Sequence, residues 1–253
     1  MRRTMPATER APLPRLTPLG LDGILVTFGD TLSDPANRAA LAFRAAIEEA
    51  AWDGVRETAS SLCSAYLAFD PARLSLAEVT ERVHDLLARR DWSAEGLPAR
   101  RRRFVIPASF EGDHAPQLAD AAKLAGLDPE EAVAQICARP LRALALGYAP
   151  GQAYLGSLPE HWDLARQKDL TPTVKEGAVV TAVRQVIVFA STSPTGWRQI
   201  GMTRFRCFRP EDAETPIALA PGDEVQLRPV SAAELDDLAE SGPDGGAEVE
   251  VLE

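Results

Sequence analysis

GYAPGQAYLG, residues 147–156, puts three glycines, a proline and two tyrosines into ten positions. Glycine and proline in that density bend a backbone rather than extend a helix or a regular strand. The stretch also marks a change in the chain. Before it, apolar residues recur at helical spacing; from Pro140 onward that period is gone. LRALALGYA, EGAVVTAV, QVIVFAS, WRQIGMTRF and DEVQLRPV then follow as short strands between Gly, Pro and Ser turns, the spacing of a barrel or sandwich.

Upstream, GILVTFG (23–29) reads as a strand. A helix follows from Asn37, with Ala40, Phe43, Ile47 and Ala51 on one stripe, ended by Gly54. VRETASS and SAYLAFD (55–70) supply two more strands. Ser75 to Glu78 is a capping box that opens a second helix. With RRRFVIPASF (101–110) the order becomes β-α-β-β-α-β, that of a ferredoxin-like domain. Two further helices are expected, over 115–127 and from the Asp128-Pro129 cap. The fold class is therefore α+β: a flexible proline-bearing arm (1–20), a ferredoxin-like domain (21–100), a β-barrel domain (101–230) and a tail (231–253). The tail carries eight acids and no Lys or Arg, so it is expected to be disordered.

The net charge of −10 over 253 residues argues against nucleic-acid or anionic-membrane partners, whose phosphates it would repel. Cys63, Cys137 and Cys207 stand far apart with no CxxC pair, as buried apolar side chains of a reducing compartment do. No apolar run is long enough to span a bilayer, and the first residues lack a secretory h-region, so a cytoplasmic protein is expected. His84, His114 and His161 show no HExxH spacing, and no metal site is assigned. His161, in a loop after the glycine-rich stretch, is a minor functional candidate. Neither a Walker A loop nor GxGxxG is present, so the sequence assigns no directly bound cofactor. The basic run Arg100 to Arg103 reads as a solvated strand start in preference to an anion site.

GYAPGQAYLG resembles the GFxPGFxYLG signature of one family (carboxyltransferase domain, subdomains C and D). Its members include a bacterial 5-oxoprolinase subunit, allophanate hydrolase subunit 1 and a sporulation-kinase inhibitor. Further boxes follow in register. Leu164-Ala165-Arg166 is similar to LPR, Val174 to Val179 to VPxGSV, and Gln185 to the Gln of a QTGIYP box. Ser193 to Trp197 is similar to SPGGW, and Ala220 to Val225 to PGDxV. The resemblance implies a ferredoxin-like domain followed by a cyclophilin-like barrel. It also implies a homologous carboxyltransferase-type partner, ATP used through the complex, and a small cyclic amide or ureide as substrate. The kinase-inhibitor branch keeps a regulatory role open.

The departures lie in the polar boxes. Gln167 stands for a second Arg, and Val186, Ile187 and Phe189 replace polar or turn residues. Lys175 and Arg204 each stand where the resembled boxes carry proline. A stand-alone enzyme with a more apolar pocket is the third reading. The substrate-binding candidates are Tyr148, Gln152, Tyr154, Arg166, Gln185 and Trp197, and no catalytic residue is assigned. Arg166 offers a guanidinium fork to a carboxylate, and Gln185 offers both amide groups to a substrate amide. Only one of Arg184 and Gln185 should face the cavity, because strand side chains alternate. Tyr148, Tyr154 and Trp197 either line that cavity or pack beside it. Gly147, Pro150, Gly151, Gly156 and Gly196 shape the loops at the rim of the barrel cavity, and Asp223 is a turn former.

Overall fold

The computed structural model describes residues 12–253. They form two compact units, divided between Pro98 and Ala99. The first contains β1 (Arg15–Leu19), β2 (Gly23–Thr27), α1 (Asp34–Ala50), β3 (Val55–Ser61), β4 (Ser64–Phe69) and α2 (Leu76–Ala88). The Ser33 hydroxyl accepts from Ala36 N to start α1, with a proline in its first turn. The expected Ser75/Glu78 capping box starts α2. The sheet order is β1-β2-β4-β3, with every pairing antiparallel. Phe43 and Ile47 of α1, Val79 and Val83 of α2, and Leu67 and Phe69 of β4 meet in one buried cluster.

The ferredoxin-like arrangement is present, with its edge strand drawn from a different place. The 101–110 strand belongs to the second unit, and β1 occupies the sheet position beside β2. The flexible arm expected over 1–20 is corrected accordingly for Arg15–Leu19. Those residues bond along the whole length of β2, which would otherwise present an open edge. The remainder of that expectation, residues 1–11, lies outside the described residues.

The second unit contains β5 (Arg101–Ser109), α3 (Leu118–Ala125), α4 (Pro129–Cys137), β6 (Leu141–Leu146), β7 (Ala153–Gly156), β8 (Thr171–Val174), β9 (Ala178–Ala182), β10 (Gln185–Val188), β11 (Ser193–Thr195), β12 (Arg198–Thr203), β13 (Glu224–Pro229), α5 (Ala232–Asp237) and β14 (Glu248–Leu252). Seven strands close a ring in the order β12-β9-β10-β7-β6-β13-β5. The end of β5 completes it, with Ser109 and Ala108 opposite Met202 and Thr203. All seven contribute to one cluster, among them Ile106, Ala143, Leu155, Val179, Val186, Ile200 and Val225. Side chains on the outsides of opposite walls could not touch, so this cluster is the barrel interior. Helices α3 and α4 add Ala122, Ala132 and Ile136 to it.

The tail expected to be disordered is ordered. Ser231 caps α5, Leu235 is fully buried, and β14 pairs antiparallel with the first half of β5. The composition argument failed because the barrel supplies the missing cations. Glu234 pairs with Arg228, Asp236 with Arg204, Asp244 with Arg209 and Glu250 with Arg103. The arginine run is likewise not merely solvated. Arg101 and Arg103 flank Glu224 at 3.0 and 2.9 Å, and Arg102 grips Asp223 at 2.5 Å. Asp223 shapes its turn as expected: its carboxylate accepts from the Ala220 and Arg102 amides. Among the described residues no helix is long and apolar enough to cross a membrane, and no group of three His, Cys, Asp or Glu could hold a metal ion.

Candidate functional site

The glycine-rich stretch resolves into a hairpin corner. Ala149 O accepts from Gln152 N at 3.1 Å, and Gly151 has φ +76°. With Pro150 before it, this is the residue pattern of a type II turn. A Cβ on Gly151 would sit 2.5 Å from Cys207 O, so the position admits only glycine. Gly147 N closes the corner on Gln152 O, yet nothing lies within 4 Å of where its Cβ would be. Tyr148 adopts φ +72°, a conformation costly for a tyrosine, and stands 72% exposed at the corner's tip. Gly156 packs closely on Leu144, and Gly196 lies close to Gln167 O.

Beside this corner is a cavity of about 310 Å³. Tyr148, Gln152, Tyr154, Arg166 and Trp197 line it, five of the six substrate-binding candidates. Leu170, Ile187, Phe189 and Pro194 add apolar wall; Gln167, Thr195 and Gly196 complete it. The expectation of a hollow with side chains facing into the barrel is corrected. Tyr154 and Ile187 alternate with Leu155, Val186 and Val188, which fill the interior, so the hollow lies against the barrel's outer face. The β8–β11 ribbon and the 164–170 loop build its other walls.

Gln185 is the candidate left out. It starts β10 opposite Gly156, two residues beyond Ile187 on the same face, and does not reach the lining. Arg184 is also elsewhere: it occupies a turn at φ +64° and donates to Leu158 O. The expectation that one of the two faces the cavity therefore fails, because the cavity sits at the other end of the strand. His161 is engaged with Gln135 of α4 at 2.7 Å, as is the Trp162 indole at 3.0 Å.

Three polar features define what the hollow can hold. Gln152 is only 2% exposed, and its Oε1 is buried with no hydrogen-bond partner. Buried acceptors are seldom left so. Arg166 is exposed at the mouth with its guanidinium over the Trp197 ring, 5.5 Å from the centroid, and has no ion pair among the described residues. Gln167, by contrast, is fully used. It donates to Trp197 O, accepts from Gln117 Nε2, and its amide bonds Gly196 O. Gln117 in turn accepts from Gln199 N. The residue in place of a second arginine is thus a neutral brace for the Trp197 loop. The cysteines are poor nucleophiles: burial pushes the Cys137 and Cys207 thiols up to about 12.

The sequence missed Gln167, Leu170, Thr195 and Pro194 as lining residues. Ile187 and Phe189 were visible only as apolar replacements; the signal placing them here is the two-residue period, with Ile187 opposite Tyr154 across the β7–β10 pair and Phe189 two residues further on.

Residues 14–219 match the family model of the carboxyltransferase domain, subdomain C and D. The chain is 28% identical over 227 residues to a 5-oxoprolinase subunit of Bacillus subtilis (strain 168), covering 84% of this chain and 91% of that protein. It is 35% identical over 136 residues to the corresponding 5-oxoprolinase subunit of Escherichia coli O157:H7, covering 54% of this chain and 62% of that one. Among solved structures, TTHA0988 superposes with a TM-score of 0.68 at 29% identity, over 83% of this chain and 40% of its own. The K. lactis urea amidolyase has the same fold over 96% of this chain and 17% of its own, with a TM-score of 0.70 at 16% identity. An outer-face hollow on a closed seven-stranded barrel, following in sequence a four-stranded α+β unit, is thus carried by a chain that belongs to the carboxyltransferase domain, subdomain C and D family.

Proposed function

We propose that this chain is the substrate-holding subunit of an ATP-dependent, 5-oxoprolinase-type complex that opens a small cyclic amide. The observation that carries the reading is the pairing of the unpartnered Gln152 Oε1 with the unpaired Arg166 guanidinium in one largely apolar hollow. A lactam N–H is the donor Gln152 lacks, and a carboxylate on the same ring is the anion a guanidinium fork suits. The aromatic walls would cover the ring, and the volume lies within the small-molecule range.

The lining contains no carboxylate, imidazole, amine or thiol. The hollow therefore binds and orients, while the groups that move protons and use ATP come from a homologous carboxyltransferase-type chain. On this reading the complex works in the cytoplasm. The names of the relatives, subunits of a 5-oxoprolinase, support the assignment.

The test has two parts. Calorimetry of the chain alone should register 5-oxoproline, with affinity lost on Arg166→Met. ATP-dependent release of glutamate should require co-expression with the homologous partner. Binding of apolar lactams that lack a carboxylate, with none of 5-oxoproline, would replace this reading with a pocket for a neutral ligand.

A further inference from the structure

A second hollow of about 300 Å³ lies in the barrel unit, lined by Asp113, His114, Thr173, Lys175, Gln199, Met202 and Arg204. It shares no lining residue with the first cavity. Its two cations keep N–H groups without acceptors among the described residues. The Lys175 ammonium has no ion pair or hydrogen bond among the described residues. Arg204 is held rigidly, Nε to Leu235 O and Nη2 to Asp236, which leaves Nη1 without a partner. The His114 Nδ1 is buried and also unpartnered, while Nε2 lies 4.0 Å from Asp236. Gln199 is buried in the wall, its amide spent on His114 O.

We infer that this hollow is a binding site for a small oxyanion, a carboxylate or a phosphate, held between Lys175, Arg204 and the His114 ring. A guanidinium held by two hydrogen bonds beside an exposed, unpaired ammonium is a combination that such anions select. The chain is acidic overall, so general attraction of anions does not account for two cations gathered here. Both stand where the resembled sequence boxes carry proline. The lining carboxylate of Asp113 and the nearby Asp236 limit the charge tolerated, which favours a monoanion over a multiply charged phosphate ester.

Titration of the full chain with sodium acetate and, separately, with inorganic phosphate tests this. Ionic strength is matched with chloride and the readouts are calorimetry and thermal melting. One of the two anions should raise Tm by roughly 5 °C at about one hundred times its dissociation constant. Lys175→Met should weaken it about tenfold or more, and Lys175→Glu should abolish it. The Lys175 side chain is exposed, so neither variant removes a core contact. Arg166→Met, in the other cavity, should leave it unchanged. No response to either anion up to about 20 mM, a range that covers weak millimolar sites, overturns the inference. So does a Lys175→Met protein that binds as well as the parent, or binding lost on Arg166→Met.

Discussion

Tyr154 and Trp197 meet edge to face, with ring centroids 6.0 Å apart and planes at 70°. One comes from the glycine-rich hairpin and the other from the loop that follows β11, so the contact ties together two walls of the cavity. Trp197 is almost fully buried. Trp197→Ala should cost about 3–5 kcal/mol in urea unfolding, the range for large aromatic truncations. Trp197→Phe should retain more than half of that. A loss below about 1 kcal/mol for the alanine variant, the level of ordinary surface changes, would show that the ring is not structural.

Gln152 predicts opposite signs for stability and binding. Its buried Oε1 lacks a partner, and a buried acceptor in that state costs about 1–3 kcal/mol. Gln152→Met should therefore leave the ligand-free protein as stable or raise its Tm. The same change should weaken 5-oxoproline binding about tenfold or more, the worth of one lost hydrogen bond. Lowered Tm together with unchanged affinity would contradict both halves.

The two glycines at the ends of the corner should behave differently. Gly151→Ala meets Cys207 O at 2.5 Å in a left-handed backbone, and should cost at least about 2 kcal/mol. Gly147→Ala meets nothing within 4 Å and should be neutral, or stabilising by up to about 1 kcal/mol through the unfolded chain. Melting of the two single variants decides it.

Acid should loosen the barrel through Glu224. Its burial pushes the carboxyl pKa upward, but the Arg103 and Arg101 guanidiniums outweigh burial and hold it below the usual value. A carboxyl with a lowered folded-state pKa contributes stability that is complete above its unfolded pKa, about 4.3. That contribution is lost as pH falls through the folded value. Glu224→Gln should therefore lower stability at neutral pH and flatten its decline below about pH 4, the region of carboxylate titration. Parallel stability curves for the two proteins would rule this group out as a source of acid sensitivity.

The tail should matter to the body it covers. Leu235 has no exposed surface and packs with Val230 and Met202. Leu235→Ala should cost about 2–5 kcal/mol, as no disordered segment could. Chymotrypsin should leave the intact tail uncut under native conditions.

Much of the fold was legible because its signals are local. The Ser75/Glu78 capping box and the Asp128-Pro129 cap need only neighbours within three residues, and both form. The helices and most strands followed from period alone. The tail was misread because its cations lie outside it, most of them remote in sequence: acids at 234–250 find arginines at 103, 204, 209 and 228. β1 was misread for a different reason: its partner β2 is the next strand, but its proline read as part of an arm, and an edge strand tolerates proline. At the site, Gly151, Gln152, Tyr154 and Trp197 could be named from the resemblance, but not the side of the sheet on which they gather. That depends on which strand face fills the barrel, and closure of a ring is not written in any one strand. Gln185 shows the same limit. Its type and box were right, and its distance along β10 placed it out of reach.

The parallel β5–β13 pair joins residues 121 positions apart. At synthesis rates of about 5–20 residues per second, β5 waits on the order of ten seconds for that neighbour. The first unit has no such delay, since all of its strands lie within residues 15–69. Nascent chains stalled near residue 215 should therefore resist protease over the first unit and be cut within 101–109. Protection of β5 at that length would mean that another segment shelters it until β13 emerges.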